Sequence, residues 1–98
     1  MDRKDIQDLV TKAIRQIQEV SGREIPENLT GDTCPLRDLD GFESICGVEL
    51  CIILSKTIPL PLDFNPCVSE DGKRALRTRE IVDRVQAIAG AQEREGDE

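Results

Sequence analysis

Histidine, tryptophan and tyrosine are absent from the chain, and Phe42 and Phe64 are its only aromatic side chains. Without histidine, the Ser/His and Cys/His nucleophile pairs and the His-Glu-x-x-His zinc signature cannot form, so the chain reads as a non-enzyme with no catalytic residues. So few aromatics require an aliphatic core. Ile, Leu, Val and Ala at helical spacing predict an all-α protein, a small helical bundle and not a sheet sandwich. Long apolar runs are missing too. Nothing approaches the roughly 18 residues of a membrane span, and Met1-Asp2-Arg3-Lys4-Asp5-Ile6 has no apolar signal segment. A soluble, cytoplasmic protein without membrane insertion is expected.

Basic charge is in short supply: 13 Lys and Arg stand against 20 Asp and Glu, a net charge of −7. That balance opposes binding to nucleic acid or to anionic lipid and favours a basic partner. Ninety-eight residues allow one small domain with a modest core. Cys34, Cys46, Cys51 and Cys67 contain no Cys-x-x-Cys pair, and no histidine completes a mixed zinc site, so no metal is expected. Reduced, buried thiols acting as small apolar residues are the simplest reading. Cys46 is singled out because it lies two residues after Ser44, near a helix start that could lower its pKa.

Ile6, Leu9, Val10, Ala13, Ile14, Ile17 and Val20 recur at spacings of three and four. They predict an amphipathic helix over residues 3–20, ended by Ser21-Gly22. Residues 23–39, with Pro26, Asn28, Gly31, Asp32 and Pro35, read as a long ordered loop held to the core by Ile25, Leu29, Leu36 and Leu39. From Ser44 to about Ile58, apolar residues wrap almost the whole helix circumference and leave Glu49, Ser55 and Lys56 polar. Such a helix is either buried on several sides or offers an apolar side to a partner or a bound acyl chain. A short element is expected within Pro59 to Val68, where Pro59, Pro61 and Pro66 forbid a long helix. Thr78 is a plausible N-cap for a last helix over 79–89 closed by Gly90. The domain is accordingly drawn at 1–90, with 91–98 as a flexible acidic tail. Lys73, Arg74, Arg77 and Arg79 form a basic cluster ahead of that helix, either a solvated turn or a second contact surface.

The most informative stretch is Leu36-Arg37-Asp38-Leu39-Asp40-Gly41-Phe42-Glu43-Ser44-Ile45. It sets a serine at the mouth of a helix, where first-turn N–H groups lack partners and the helix dipole favours a phosphate ester. Serine is equally a preferred N-cap for local reasons alone. The preceding acid, the glycine three residues before and the apolar helix after tip the reading toward attachment.

The order of elements resembles the acyl carrier protein family over roughly residues 3–90. The specific part is Gly41-Phe42-Glu43-Ser44-Ile45, similar to the family's Gly-x-Asp-Ser-Leu motif, with Leu36-x-x-Leu39 upstream and Val48-Glu49-Leu50 downstream. The resemblance implies an acyl-carrier-like four-helix bundle, three main helices and one short one, with a long loop between helices one and two. It implies a covalent 4′-phosphopantetheine on Ser44, whose thiol holds an acyl group as a thioester. The cargo would pass to enzymes of fatty-acid, lipid or polyketide-type biosynthesis. Implied partners are a phosphopantetheinyl transferase and acyl-loading and acyl-processing enzymes, met by a monomer through Asp40, Phe42, Glu43, Ile45, Glu49 and Ile52. Glu43 replaces the usual Asp and Ile45 the usual Leu, while Cys46, Ser55 and Lys56 fall where acids are common. These departures predict a specialised carrier. The alternatives are an unmodified interaction module that docks through helix 44–58, and a carrier of aminoacyl or peptidyl thioesters.

Overall fold

The computed structural model describes residues 2–25, 29–61 and 64–96, the last five of these as backbone alone. It contains four helices, α1 (Arg3–Val20), α2 (Pro35–Asp38), α3 (Ser44–Ser55) and α4 (Thr78–Gly96). Among the described residues the only β pairing is the isolated bridge between Val68 and Ala75. The radius of gyration, 12.9 Å, matches the roughly 13 Å of one compact domain of this length.

Helix α1 forms where its periodicity predicts. The Asp2 carboxylate accepts from the Asp5 N–H at 3.1 Å, satisfying one first-turn donor, and Gly22 takes φ +69° just past the end. The Ile6, Val10, Ala13, Ile14 and Ile17 side chains are buried against both α3 and α4. Helix α3 contributes Cys46, Leu50 and Leu54 to that core, and α4 contributes Ile81, Val82, Val85 and Ala89. Leu39 and Phe42 seal the end nearest Ser44, while Leu29 and Leu36 pack on the outside of the cluster. Ile25 is half-buried.

Several expectations are corrected. The short helix lies in the loop between α1 and α3, and among the described residues of 59–68 there is none. Pro35 at the first helical position suits a helix start, whereas in the described part of 59–68 the chain is irregular apart from a turn at Pro66-Cys67 and the bridge at Val68. Helix α3 ends at Ser55. Only turn bonds continue, such as Ile58 N–H to Leu54 O at 2.8 Å, because the residue before Pro59 is disfavoured in helical geometry. Helix α4 runs through Gly90 to Gly96, since Gly90 has no positive φ and good helix formers follow it. The helical backbone thus extends well into the segment expected as a tail. Asp97 and Glu98 lie outside the described residues, as do 26–28 of the expected loop and 62–63 of the proline-rich stretch.

Thr78 does not cap its own helix with its side chain. Its hydroxyl and its N–H both donate to Thr33 O at 2.8 Å, and Arg79 N–H donates to Gly31 O at 3.0 Å. Carbonyls of the loop before α2 thereby satisfy the open N-terminus of α4.

Candidate functional site

Ser44 is the first residue of α3, and Glu43 occupies the N-cap position with extended backbone and no side-chain cap bond. The local N-cap role open to Ser44 is therefore not the one it takes. Its side chain is exposed, and among the described residues its hydroxyl has no hydrogen-bond partner. The N–H groups of Ser44 and Ile45 are likewise open, while Cys46 N–H donates to Glu43 O at 2.9 Å. An exposed hydroxyl beside two open amides and the positive end of a helix suits a phosphate ester.

Three contacts fix the approach to that serine. Gln18 of α1, fully buried, donates from Nε2 to Asp40 O at 2.8 Å and to Glu24 O at 3.4 Å, leaving its Oε1 unpaired. Gly41 turns the chain with φ +67°, and a Cβ there would lie 2.6 Å from Arg23 Nε. Arg23 also places Nη1 3.5 Å from Cys46 Sγ. From the other side, Asn65 Nδ2 donates to Ser44 O at 3.1 Å while its Oδ1 accepts from Cys67 N–H at 2.9 Å. Asn65 fits because residue 47 is glycine: a Cβ at Gly47 would stand 2.1 Å from Asn65 Oδ1. Arg84 holds the same turn by donating to Asn65 O at 2.8 Å and to Val68 O, with its guanidinium 4.6 Å from the Phe64 ring centroid.

Beyond Ser44, α3 displays an apolar stripe of Ile45 (66% exposed), Val48 (40%) and Ile52 (47%). Spacings of three and four put these on one face. Glu49, Glu43 and Asp40 are exposed near them. Five of the six residues expected to meet a partner thus lie on the surface. Phe42 does not: it is 3% exposed and belongs to the core, so it holds the loop and offers no contact. Cys46 also points inward and is buried, out of reach of a reagent in the folded chain.

None of the four cysteines forms a disulfide, and all four are buried. Burial, followed by the nearby Cys34 and Cys46 thiols, pushes the Cys67 pKa up to about 12. Among the described residues no group of three or more potential ligands could hold a metal ion. Three of the four residues of the basic cluster are ion-paired, with two carboxylates between them. Arg74 makes a two-pronged pair with Glu80, the shorter bond at 3.0 Å, and Arg79 and Arg77 reach Asp32 at 2.8 Å and 3.6 Å. The Arg74 pairing holds the Glu80 carboxyl below its ordinary range.

Gln18, Arg23 and Asn65 were not singled out by sequence reasoning. Gln18 carried a signal, a polar residue one turn after Ile14 on an apolar helix face, and so did Gly47, a glycine inside an otherwise strong helix. Among the described residues no helix is long and apolar enough to cross a membrane. Compared with models of protein families, with curated proteins and with solved structures, the chain matches none.

Proposed function

We propose that this chain is a non-catalytic acyl carrier, with 4′-phosphopantetheine attached to Ser44. The observation that carries the reading is the exposed Ser44 hydroxyl, unpaired among the described residues, at the first turn of α3 beside the open N–H groups of Ser44 and Ile45. The arm, when attached, supplies a terminal thiol that holds an acyl group as a thioester. The chain's own part is to present and protect the attachment point. Gln18, Arg23 and Asn65 fix the turn and the helix start, and the backbone amides favour the phosphate. Tethering raises the cargo's effective concentration at a partner's active site. Partners would be a phosphopantetheinyl transferase and acyl-loading and acyl-processing enzymes, met by a cytoplasmic monomer along Asp40, Glu43, Ile45, Glu49 and Ile52. Pathways of fatty-acid, lipid or polyketide type fit such a carrier, and an aminoacyl or peptidyl cargo differs only in its loading enzyme.

A second reading is favoured by the stripe of Ile45, Val48 and Ile52, which is an adequate docking face without any prosthetic group. Intact mass separates the two. Co-expressed with a broad-specificity phosphopantetheinyl transferase, the chain is expected to gain one phosphopantetheine, and Ser44→Ala to gain none. Absence of the gain, under conditions that fully modify a standard carrier, would favour the unmodified module.

A further inference from the structure

At the far end of α3 from Ser44, two hollows that share Thr57 as a lining residue have no part in the site described above. Helix α3 has 12 residues, so that end lies about 18 Å along the axis from the serine. The first hollow, about 290 Å³, sits between Ile6 of α1, Thr57, Ile58 and Pro59 after α3, and Ala89 and Gly90 of α4. The second, about 230 Å³, lies between α1 and the last turn of α3, with Leu9, Ala13 and Ile53 among its walls. Both are lined by Thr57. Lys12 and Lys56 line the second hollow and are exposed, and among the described residues neither pairs with a carboxylate.

Gly90 supplies an independent observation. It stands inside α4 with no positive φ, where glycine weakens a helix relative to alanine. Among the described residues no neighbour demands it, because a Cβ there would meet nothing within 4 Å. It lines the first hollow. Together the two spaces reach the lower part of the roughly 300–1,000 Å³ usual for small-molecule sites. An apolar cavity of about 150 Å³ holds a benzene, so by volume alone the first hollow, whose walls also include the polar Thr57 and Gln86, accepts on the order of ten hydrocarbon carbons.

We propose that these hollows form a binding site for a free, linear anionic amphiphile, a medium-chain carboxylate. Its alkyl tail lies between Ile6, Ile58, Ala89 and Gly90 and its carboxylate faces Lys12 and Lys56. A linear ligand suits two spaces that share Thr57 in their walls, and a negative head suits Lys12 and Lys56, among the described residues the only charged ones lining them. The lysines select a free acid over a thioester-linked chain, whose carbonyl carries no charge. The site is independent of Ser44 and of the carrier reading.

The test is a titration of the full, unmodified chain with sodium decanoate below its micellar concentration, followed by methyl 1H–13C spectra. Saturable shifts are expected at the methyls of Ile6, Ile58 and Ala89. Octanoate should bind about tenfold more weakly, two methylenes being removed from an apolar site. Gly90→Leu, which fills the wall and favours helix, should weaken decanoate at least tenfold with the fold retained. Lys12→Glu combined with Lys56→Glu should weaken decanoate by a similar factor and leave 1-decanol unaffected. No saturable shift at those methyls, or undiminished binding by Gly90→Leu, would overturn the site. Equal affinity of the unaltered chain for decanoate and 1-decanol would overturn the role of the lysines. The mass measurement on Ser44 stands or falls separately.

Discussion

Gly47 and Gly90 are both helix-interior glycines, yet their surroundings give opposite expectations. Alanine at either position gains up to about 1 kcal/mol of helix propensity. At Gly47 the new Cβ would lie 2.1 Å from Asn65 Oδ1, and moving Asn65 breaks its bonds to Ser44 O and Cys67 N–H. Overpacking of this kind costs about 1–3 kcal/mol and two disturbed hydrogen bonds add to it, so Gly47→Ala should be net destabilising by roughly 1–2 kcal/mol. Gly90→Ala meets no atom and should stabilise by about 0.5–1 kcal/mol. Urea unfolding of both variants checks the contrast. Cys67 gives a pH expectation. Its pKa rises from 9.0 to about 12 in the folded chain. Between those values the unfolded thiol ionises first and the unfolded state binds fewer protons. The contribution to stability is therefore complete below pH 9 and lost as pH climbs toward about 12. Cys67→Ala should show a shallower fall in that window, read from denaturation midpoints at a series of alkaline pH values.

Among the elements, α4 depends on a partner segment for its start. Thr33 O accepts from both the N–H and the hydroxyl of Thr78, so the loop before α2 serves as its cap. Thr78→Val preserves shape and removes one donor, leaving Thr33 O its backbone bond. A loss of about 0.5–1.5 kcal/mol is expected in chemical denaturation, and Thr78→Ser should restore most of it. Periodicity located α1 to the residue and the start of α4 to within one residue, because both carry one apolar face. It could not locate α2, a single turn whose only signal is Pro35. Nor could it stop α4 correctly, since Gly90 looks like a terminator and behaves as a wall of a hollow. The apolar circumference of α3 left open which side is buried, and packing on α1 answers that: Leu50 and Leu54 go in, Ile45, Val48 and Ile52 stay out.

For the molecule as a whole, α1 is the element on which α3 and α4 both pack. Ile14 is completely buried there. Ile14→Ala should cost about 2–5 kcal/mol, a large share of the roughly 5–15 kcal/mol expected of such a domain. A fall in Tm of at least about 10 °C in thermal unfolding followed by circular dichroism is the expected reading. The surface carries the net charge of −7, but the α3 stripe is apolar with acids near it. Association through it would rest on desolvation more than on long-range steering.

Composition and periodicity alone determined an aliphatic, all-helical chain without histidine-based chemistry, the full span of α1 and a serine at the mouth of a helix. Those properties follow from residue types and their spacing, which a linear sequence displays directly. Tertiary structure decided which of the six surface residues were in fact surface. Phe42 went to the core because an aromatic beside Leu39 closes the end of the bundle, and no spacing rule expresses that. It also decided that Arg74 pairs with Glu80 and that Arg77 and Arg79 share Asp32, all of them on the exposed surface. The contacts that shape the candidate site, Gln18 with Asp40, Arg23 with Gly41 and Asn65 with Ser44, join residues far apart in sequence. Contacts of that kind arise only when packed helices bring separate turns together.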